Sequence, residues 1–512
     1  MPTYYLTTPI YYVNDKPHIG HAYTTLSCDV LARFKRLDGF EVKFLTGTDE
    51  HGQKVEKSAA DRGMDPQLFT DEVSQNFRDL TAQLNFTNDD FIRTTESRHK
   101  STCQKIWRQM VDAGDIYLDS YKGWYAVRDE AYYAESEIVD GKAPTGAPVE
   151  WVEEPSYFFR LSAFQDRLLD LYESNPDFVG PKSRLNEVKS FVKGGLRDLS
   201  VSRTSFSWGI AVPDDEKHIM YVWLDALTNY ITAVGYGEDQ HDEYAKFWPA
   251  DLHMVGKDIL RFHAVYWPAF LMAVGAPLPR RVFAHGWWTN EGQKISKSLG
   301  NVIDPVSLAE TYGLDQMRYF LMREVPFGSD GDFSHAAMTH RMNGDLANDL
   351  GNLCQRVLSM VFKNCGEAIP AKPEQLQAAD NTILASAYAL LEKNRTQYDT
   401  QQFHEALKSI WDVIGDANRY VDEMAPWALR KTDPDRMADV LWVLCEVIRV
   451  VAILIQPVMP QAAARLLDQI AVPPSERAFS LLHGGASMAG GQGINKPEPI
   501  FPRYVTEEQD AS

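Results

Sequence analysis

The strongest constraint on the fold is a strand–helix–strand pattern within about the first fifty residues. Residues 3–13 are dense in Tyr, Thr, Ile and Val, a composition typical of a strand. Pro17 suits the first turn of a helix, and residues 18–37 place apolar side chains at helical spacing. Residues 40–47 predict a second strand. Because a βαβ unit of this kind normally builds a parallel sheet, we expect one here.

One face of the predicted helix is apolar, and Gly39 fits the end of the helix. The apolar face consists of Ile19, Tyr23, Leu26, Val30, Phe34 and Leu37. Ligands of open parallel sheets bind at the carboxyl ends of the strands. Here those ends fall around residues 12–21 and 48–51, so we expect the functional site in these two segments.

The pattern changes farther along the chain. Residues 116–155 combine short β-like pieces with Gly, Pro and acidic residues, which predicts an insertion into the sheet. Helix and strand signals alternate again from residue 218, and residues 336–470 carry long helical patterns. Residues 484–497 are rich in Gly, Ala and Ser, which is typical of a mobile linker. The predicted fold class is therefore α/β, with a Rossmann-type parallel sheet, an inserted domain and a following all-helical domain.

Composition excludes several classes of protein. A chain of 512 residues is too long for one core, and about two to four domains are expected. It holds no apolar stretch of about 18 residues, so we expect no membrane span. The five cysteines lie far apart and the N-terminus lacks a secretory signal, so we expect a cytoplasmic protein. The net charge of −20 argues mildly against a nucleic-acid partner, although a local basic patch can coexist with it.

A short motif stands where the first strand gives way to the helix. It consists of Pro17, His18, Gly20 and His21. A helix N-terminus carries free N–H groups and a partial positive charge, which suit phosphate, and imidazoles can donate to phosphate oxygens. An arbitrary pair of histidines at this spacing is more often a surface or capping pair. A metal-binding interpretation of the two histidines has still less support, because no obvious third ligand lies nearby in the sequence.

A second motif, rich in lysine, follows far along the chain. It contains Lys294, Ser296, Lys297 and Ser298, followed by Gly300. Two lysines on such a loop can clamp a triphosphate, although a solvated basic loop is the commoner occurrence. The joint presence of both motifs in an α/β pattern favours a nucleoside triphosphate site.

The two motifs resemble the HIGH and KMSKS motifs, the ATP-binding signatures of class I aminoacyl-tRNA synthetases. Ile295 stands at the apolar second position of the lysine motif, where Met is usual. Within class I, the chain is similar to methionyl-tRNA synthetases over nearly its whole length. The segments that carry this similarity are Thr8–Asn14, Thr48–Gly52, Tyr221–Ala226 and Gly256–Ile259, together with Phe262, His263 and Trp267.

The resemblance implies ATP-dependent activation of L-methionine to methionyl-adenylate, and transfer to initiator and elongator tRNA(Met). His18, His21, Lys294 and Lys297 would be catalytic, with Mg²⁺ bridging phosphate oxygens. The ATP-binding set implied by the resemblance is Pro17, His18, Gly20, His21, Lys294, Ser296, Lys297 and Ser298. The methionine-binding set is Pro9, Ile10, Tyr12, Asp49, Trp223, Leu227, Tyr230, Ile259, Phe262 and His263.

Within the methionine set, Asp49 would hold the ammonium group. Its alternative role is the N-cap of the following helix. Aromatic residues such as Trp223 and Phe262 suit a thioether, which offers dispersion and weak hydrogen bonding, but aromatic residues are also ordinary core residues.

In the helical region, the resemblance implies that Asn352, Arg356 and Trp427 read the anticodon. Asn352 and Arg356 are four residues apart and share a helix face. An aromatic plane with polar neighbours suits single-stranded RNA. Taken alone, the polar pair would be a solvated face and Trp427 a packing residue.

The resemblance also implies the domain boundaries, and the chain departs from the family's pattern again at the zinc-knuckle positions. The domains are the catalytic first half 1–115, the connective insertion 116–217, the catalytic second half 218–285, the lysine-loop and stem-contact region 286–335, the anticodon-binding domain 336–480 and the tail 481–512. Ala126, Asp129 and Ala143 stand where many members carry zinc-knuckle cysteines, so we expect no zinc. The chain offers no room for the further C-terminal domain of longer members, so we expect a monomer.

Three alternatives remain at this stage. A class I synthetase for leucine, isoleucine or valine would carry a large editing insertion, for which no segment fits. A non-catalytic tRNA-binding paralogue would have damaged ATP motifs. An unrelated nucleotidyltransferase with a similar histidine motif would not need the helical region containing Asn352, Arg356 and Trp427.

Overall fold

The computed structural model of the protein describes residues 1–13, 16–129, 131–133, 135–237, 242–295 and 300–505. The chain forms two compact units. The sheet unit comprises Thr3–Cys28 and Val42–His285, and the helical unit comprises Met1–Pro2, Asp29–Glu41 and Gly286–Ser512.

The sheet unit contains most of the strands. They are β1 (Thr3–Tyr12), β2 (Glu41–Asp49), β3 (Asp90–Arg93), β4 (Ile116–Ala126), β5 (Ala131–Tyr133), β6 (Glu150–Phe159), β7 (Val179–Gly180), β8 (Leu199–Ser200), β9 (Ser202–Arg203), β10 (Ala211–Val212), β11 (Asp215–Met220), β12 (Leu252–Gly256) and β13 (Val282–His285). Six of them form a sheet in the order β3-β2-β1-β12-β13-β7. The pairs β2–β3, β1–β12, β12–β13 and β13–β7 are parallel, which confirms the predicted fold class.

The helices that accompany this sheet include the one predicted after the first strand. They are α1 (Ile19–Leu37), α2 (Gln53–Asp61), α3 (Pro66–Gln83), α4 (Ser97–Asp112), α5 (Gln165–Ser174), α6 (Lys182–Lys193), α7 (Val222–Thr232), α8 (Asp242–Phe247) and α9 (Trp267–Ala273). The predicted apolar face of α1 is buried from Ile19 to Phe34, and Leu37 is half-buried. Gly39 ends the helix with a φ of +86°, a conformation that glycine adopts without a steric penalty.

The predicted insertion is an antiparallel structure. β4 and β6 pair in register from Ile116 with Phe159 to Tyr125 with Glu150, and the sheet order is β5-β4-β6-β8. A smaller sheet has the order β10-β11-β9. The chain therefore leaves the parallel sheet after β3 and returns to it first at β7, which pairs with β13 at the edge of the sheet, and then at β12. Part of the range 116–217, which the sequence assigned to the insertion, thus belongs to the parallel sheet.

The helical unit holds three short strands and the remaining helices. They are β14 (Trp288–Asn290), β15 (Gln293–Lys294), α10 (Pro305–Tyr312), α11 (Leu314–Arg323), β16 (Gly331–Phe333), α12 (His335–Arg341), α13 (Asn352–Asn364), α14 (Ala378–Asp399), α15 (Phe403–Met424), α16 (Pro426–Thr432), α17 (Pro434–Ile455) and α18 (Pro460–Gln469). A π-helical segment, Met342–Gly351, joins α12 to α13. α17 is buried along nearly its whole length, which makes it the central helix of this unit.

The glycine-rich segment 484–497 differs from its prediction. The N–H groups of Ile369 and Lys372 donate to the carbonyls of Gln492 and Ala489, and the N–H of Ile494 donates to the carbonyl of Glu367. Composition suggested a mobile linker, but these backbone hydrogen bonds fasten the segment to the stretch before α14.

Across the described ranges of the chain, no helix is both long and apolar enough to cross a membrane.

Candidate functional site

The two motif histidines stand at the start of α1 and bind their own backbone. The N–H of Gly20 donates to Nδ1 of His18 at 3.0 Å, and the N–H of His18 donates to Nδ1 of His21 at 3.1 Å. The two rings lie 3.9 Å apart, and the His21 ring also packs edge-on against Tyr11 and Phe77. Both rings are therefore fixed in direction before any ligand arrives.

Burial keeps the two rings neutral, and the same hydrogen bonds determine their tautomers. Burial lowers the pKa of His18, and burial together with the adjacent His18 ring lowers the pKa of His21 well below its usual range. Both imidazoles are therefore neutral near pH 7. Since each Nδ1 accepts a hydrogen bond, each ring carries its proton on Nε2. The motif presents two neutral N–H donors beside a helix N-terminus, a combination suited to phosphate oxygens.

Gly20 leaves room for the His18 ring. A Cβ at position 20 would lie 2.9 Å from Cε1 and 3.1 Å from Nδ1 of His18. The His18 ring therefore occupies the space that a side chain at position 20 would take.

The lysine motif begins on a tight hairpin of the helical unit. β14 and β15 pair antiparallel through a turn in which Glu291 and Gly292 have φ of 50° and 75°. Two positive φ values are typical of a type I′ turn. Asp332 Oδ1 accepts from the Thr289 hydroxyl at 2.5 Å and from the Gly292 N–H at 2.9 Å, which fixes the hairpin.

Lys294 is exposed at the end of this hairpin. Its Nζ lies 5.9 Å from the centroid of the Trp287 ring, and its carbonyl accepts from the Asn301 side chain at 3.1 Å. Ser296, Lys297 and Ser298, the other residues of the predicted clamp, lie outside the described residues.

Several predicted methionine-binding residues meet in the sheet unit. The rings of Trp223 and Phe262 stack with centroids 3.6 Å apart and an interplanar angle of 9°, and the His263 ring lies edge-on to Trp223 at 6.3 Å. Ile10, Trp223, Ile259 and Phe262 are partly buried and pack on the same hydrophobic cluster, to which Leu227 and Tyr230 belong. Pro9 is buried, whereas Tyr12 is half-buried and packs on a neighbouring cluster.

The polar atoms of this aromatic group satisfy one another. His263 Nδ1 donates to the carbonyl of Ile259 at 3.0 Å, so its Nε2 accepts from the Tyr230 hydroxyl at 2.6 Å. Burial lowers the pKa of His263 to about 4, which keeps the ring neutral. The residues Phe262–Tyr266 form a π-helical turn, a local irregularity that is frequent at functional sites.

Asp49 ends β2 and is buried. Its carbonyl accepts from the N–H of Val13 at 3.1 Å, so the ends of β1 and β2 meet. The N-cap of the following helix α2 is Gly52, without a side-chain hydrogen bond, which removes the capping alternative for Asp49.

In the helical unit, Arg356 and Trp427 lie together at the surface. Arg356 on α13 places its guanidinium 5.5 Å from the Trp427 ring and donates to Asp422 at 2.6 Å. Trp427 is 47% exposed on α16, and Asn352 is exposed one turn before Arg356. Beside them lies an open pocket of about 140 Å³, with Met360 among its apolar lining residues. A half-exposed indole does not match the core-packing alternative.

At the expected zinc-knuckle positions, the insertion contains an apolar cluster. Ala126, Ala143 and Ala147 are buried against each other, and Tyr133 packs on them. Asp129 accepts from the Tyr133 hydroxyl at 2.9 Å. Two alanines and an engaged carboxylate do not supply the donor set of a structural zinc ion.

Sequence reasoning missed three buried groups near the predicted pocket. His51 and Asp225 were seen only as parts of motifs, and their contact joins residues 174 positions apart. His253 Nε2 accepts from the Trp267 indole at 3.2 Å and its Nδ1 is hydrogen-bonded to Thr7 at 2.8 Å, and its ring lies 4.2 Å from the ring of Tyr230. No short-range pattern could have indicated these pairs.

Comparisons with known proteins agree with this geometry. The family model described as tRNA synthetases class I (M) matches residues 4–150 and 143–358, and the anticodon binding domain of methionyl tRNA ligase matches residues 369–512. The methionine–tRNA ligase of Rickettsia conorii is 57% identical over 505 residues, covering 98% of this chain and 99% of that protein. The methionine–tRNA ligase of Brucella suis biovar 1 is 58% identical over 511 residues, covering 99% of each.

A solved structure gives the same result. Mycobacterium tuberculosis methionyl-tRNA synthetase in complex with methionyl-adenylate matches with a TM-score of 0.95 and 52% identity, over 98% of this chain and 100% of that one. Because the match covers 98% of this chain, it extends over residues of both the sheet unit and the helical unit. The chain therefore belongs to the methionyl-tRNA synthetase family of class I aminoacyl-tRNA synthetases.

Proposed function

We propose that this chain activates L-methionine with ATP and transfers the methionyl group to initiator and elongator tRNA(Met). The observation that carries the proposal is the pairing of two neutral Nε2–H donors, on His18 and His21, with an aromatic pocket in the same unit. The first feature suits phosphate and the second suits a thioether. Family membership supports the same assignment.

In the first step, a methionine carboxylate oxygen attacks the α-phosphorus of ATP. A new C–O–P linkage forms and the bond to pyrophosphate breaks, which gives methionyl-adenylate. The carboxylate is already ionised at neutral pH, so no general base is needed. Catalysis then depends on positioning and on stabilising charge on the phosphate oxygens. His18 and His21 act as directional donors, while Lys294 and Lys297 neutralise the triphosphate.

The remaining ATP contacts are assigned in the same way. Pro17 and Gly20 shape the histidine segment, and Ser296 and Ser298 accompany the lysines. Mg²⁺ would accompany ATP as part of the substrate and would reduce the charge on the phosphate oxygens. In the second step, a ribose hydroxyl of the terminal adenosine attacks the adenylate carbonyl, and AMP leaves.

The pocket explains how a thioether is accepted. The hydrogen of the Tyr230 hydroxyl is used by His263, and the remaining N–H of His263 is used by Ile259. A methionine side chain therefore enters without leaving a buried donor unpaired, and binds through dispersion and aromatic contact with Trp223 and Phe262. Asp49 is the assigned partner of the ammonium group.

The helical unit is assigned to the anticodon. The half-exposed Trp427 ring offers a stacking plane for an unpaired base, while Arg356 and Asn352 offer donors for base edges and phosphate. Recognition through an exposed ring and a few directed donors does not require an overall basic chain, so the net charge of −20 does not oppose this assignment.

The decisive experiment is pyrophosphate exchange with methionine, leucine, isoleucine and valine in parallel, followed by charging of initiator tRNA. We expect exchange with methionine only, and charging of tRNA(Met). Exchange driven by another amino acid would refute the substrate assignment, and failure of all four would refute the activity. In Lys297→Ala, adenylate formation should fall by orders of magnitude with methionine affinity little changed.

A second experiment separates the two units. Trp427→Ala should spare methionine-dependent exchange and strongly reduce charging. The matched control is Trp442→Phe, a conservative change at a tryptophan buried in the same unit, which should affect neither activity. Equal loss of exchange and charging in Trp427→Ala contradicts the anticodon assignment.

We further propose that the chain acts as a zinc-free monomer in the cytoplasm. The alanine cluster supports an insertion held by packing alone, and five cysteines that lie far apart in the sequence fit a reducing compartment. Metal analysis showing stoichiometric zinc, or light scattering at the mass of a dimer, would contradict these points.

A further inference from the structure

A buried cluster beside the methionine pocket has no role in the mechanism above. Asp225 on α7 is 1% exposed, and its two carboxylate oxygens bind two imidazoles. Nδ1 of His51 lies 2.6 Å from Oδ2, and Nε2 of His99 lies 2.7 Å from Oδ1. Cys103 Sγ lies 3.3 Å from the same nitrogen of His99.

The spacing is that of hydrogen bonds. His99, Cys103 and Asp225 form a group whose ligand atoms lie within reach of one another. Two ligands of one zinc ion at about 2.0–2.1 Å would themselves lie more than about 3 Å apart. The 2.7 Å between His99 and Asp225 instead places a proton between nitrogen and oxygen.

The charge on Asp225 determines where its partners carry their protons. Burial acts to raise the pKa of this carboxyl, but the adjacent His51 and His99 outweigh burial and lower the pKa to about 2. The carboxylate is therefore ionised, and His51 must donate Nδ1–H to it. In the neutral imidazole, Nε2 of His51 is then a hydrogen-bond acceptor.

This acceptor lacks a protein partner among the residues that the structure describes, although His51 is only 2% exposed. A buried polar atom without a partner calls for an explanation, because most such atoms are satisfied. His51 follows two residues after Asp49, and its ring packs edge-on at 5.5 Å against Trp208. Trp208 and Tyr12, a methionine-set residue, pack on the same hydrophobic cluster.

We propose that Nε2 of His51 is a second acceptor for the α-ammonium group of methionine, beside Asp49, and that Asp225 fixes its tautomer. This inference rests on the proposed function. An ammonium group has three donors, and one carboxylate does not satisfy all of them. Because Asp225 and Trp223 share α7, the same contact also ties the ammonium site to the side-chain pocket.

The test compares two ligands in the full-length protein. Methionine carries the ammonium group, whereas 4-(methylthio)butanoate has the same side chain and carboxylate without it. In His51→Gln, the dissociation constant of methionine should rise by about 10-fold or more, since a hydrogen bond to a charged group is lost. The inhibition constant of 4-(methylthio)butanoate in pyrophosphate exchange should stay within about 2-fold.

Two further variants distinguish recognition from structural support. Asp225→Asn keeps the shape of the side chain, but its amide can donate to Nδ1, so the His51 proton moves to Nε2 and faces the ammonium group. Asp225→Asn should weaken the binding of methionine without affecting the binding of 4-(methylthio)butanoate. His99→Gln removes the other partner of Asp225, and it should change the binding of both ligands little and to the same extent.

Each outcome is decisive. The inference is overturned if His51→Gln and Asp225→Asn weaken the binding of both ligands equally. It is also overturned if His99→Gln has the same effects on binding as His51→Gln. If His51→Gln does not fold, the same comparison of methionine binding with 4-(methylthio)butanoate binding in Asp225→Asn decides alone. Absence of methionine-dependent exchange in the unmodified protein refutes the proposed function instead.

Discussion

Gly20→Ala is expected to slow adenylate formation while leaving the fold intact. The new Cβ would meet Cε1 of His18 at 2.9 Å, closer than carbon atoms tolerate, so the ring must turn away. This movement breaks the hydrogen bond from the Gly20 N–H to Nδ1 and redirects the Nε2–H donor. Removing one such donor from a charged transition state costs about 10²–10³ in kcat. A displaced donor is a smaller loss, and we expect about 10- to 100-fold.

The same substitution should stabilise the protein slightly. Gly20 lies within α1 without a positive φ, and alanine is favoured over glycine in a helix by about 0.5–1 kcal/mol. Activity and stability therefore move in opposite directions. Gly415→Ala is the matched control, because its Cβ would meet only the end of the Arg419 side chain at 4.0 Å.

The assay is methionine-dependent pyrophosphate exchange, with thermal unfolding measured on the same samples. We expect Gly20→Ala to lose kcat while its Tm rises slightly, and Gly415→Ala, which lies within α15, to keep kcat with a similar small rise in Tm. Exchange within about 2-fold of the parent in Gly20→Ala would refute the link between this glycine, the His18 ring and catalysis.

Three other changes test the remaining contacts. Tyr230→Phe leaves the buried Nε2 of His263 without its donor, which should lower the free energy of unfolding by about 1–3 kcal/mol and raise the KM for methionine. An unchanged KM and Tm would contradict the pairing of these two side chains. For His263 itself, the pKa in the folded protein is about 4, below the ordinary 6.5. Its contribution to the free energy of unfolding is therefore complete above about pH 6.5. That contribution is lost as the pH falls towards 4, by about 3 kcal/mol in total. An NMR titration should find this ring neutral at pH 5.5, and a charged ring there would refute the argument. Asp332→Ala removes the acceptor of the Thr289 hydroxyl and of the Gly292 N–H, so the hairpin that positions Lys294 loses its anchor. Adenylate formation should then slow with little change in the KM for methionine. Unchanged kinetics would show that the hairpin does not need this anchor.

The sequence was most informative where the determining contacts are local. The bounds of β1 and α1 and the end at Gly39 follow from periodicity and turn chemistry, which operate within a few residues. The positions of His18 and His21 followed from their motif. Their tautomers did not, because these depend on which backbone N–H reaches which ring nitrogen.

Contacts between distant residues account for what the sequence missed. Asp225 and His51 are 174 positions apart, and neither residue shows by its type that it would be buried beside the other. Composition made 484–497 resemble a linker, since glycine and alanine provide little surface to bury. The backbone of that segment nevertheless bonds to Ile369 and Lys372, and main-chain hydrogen bonding does not depend on side-chain type.

In the proposed mechanism, the two neutral imidazoles at the start of α1 would hold phosphate by direction rather than by charge. A neutral N–H donor binds an oxygen only when the two are aligned, whereas a cation attracts any anion within the screening length. In the same mechanism, AMP would remain in the site after methionyl transfer, and no ion pair with the neutral His18 or His21 would oppose its departure. Turnover can therefore combine firm alignment during chemistry with easy product release. Added salt should weaken the capture of ATP through the lysines while leaving the exit of AMP nearly unchanged.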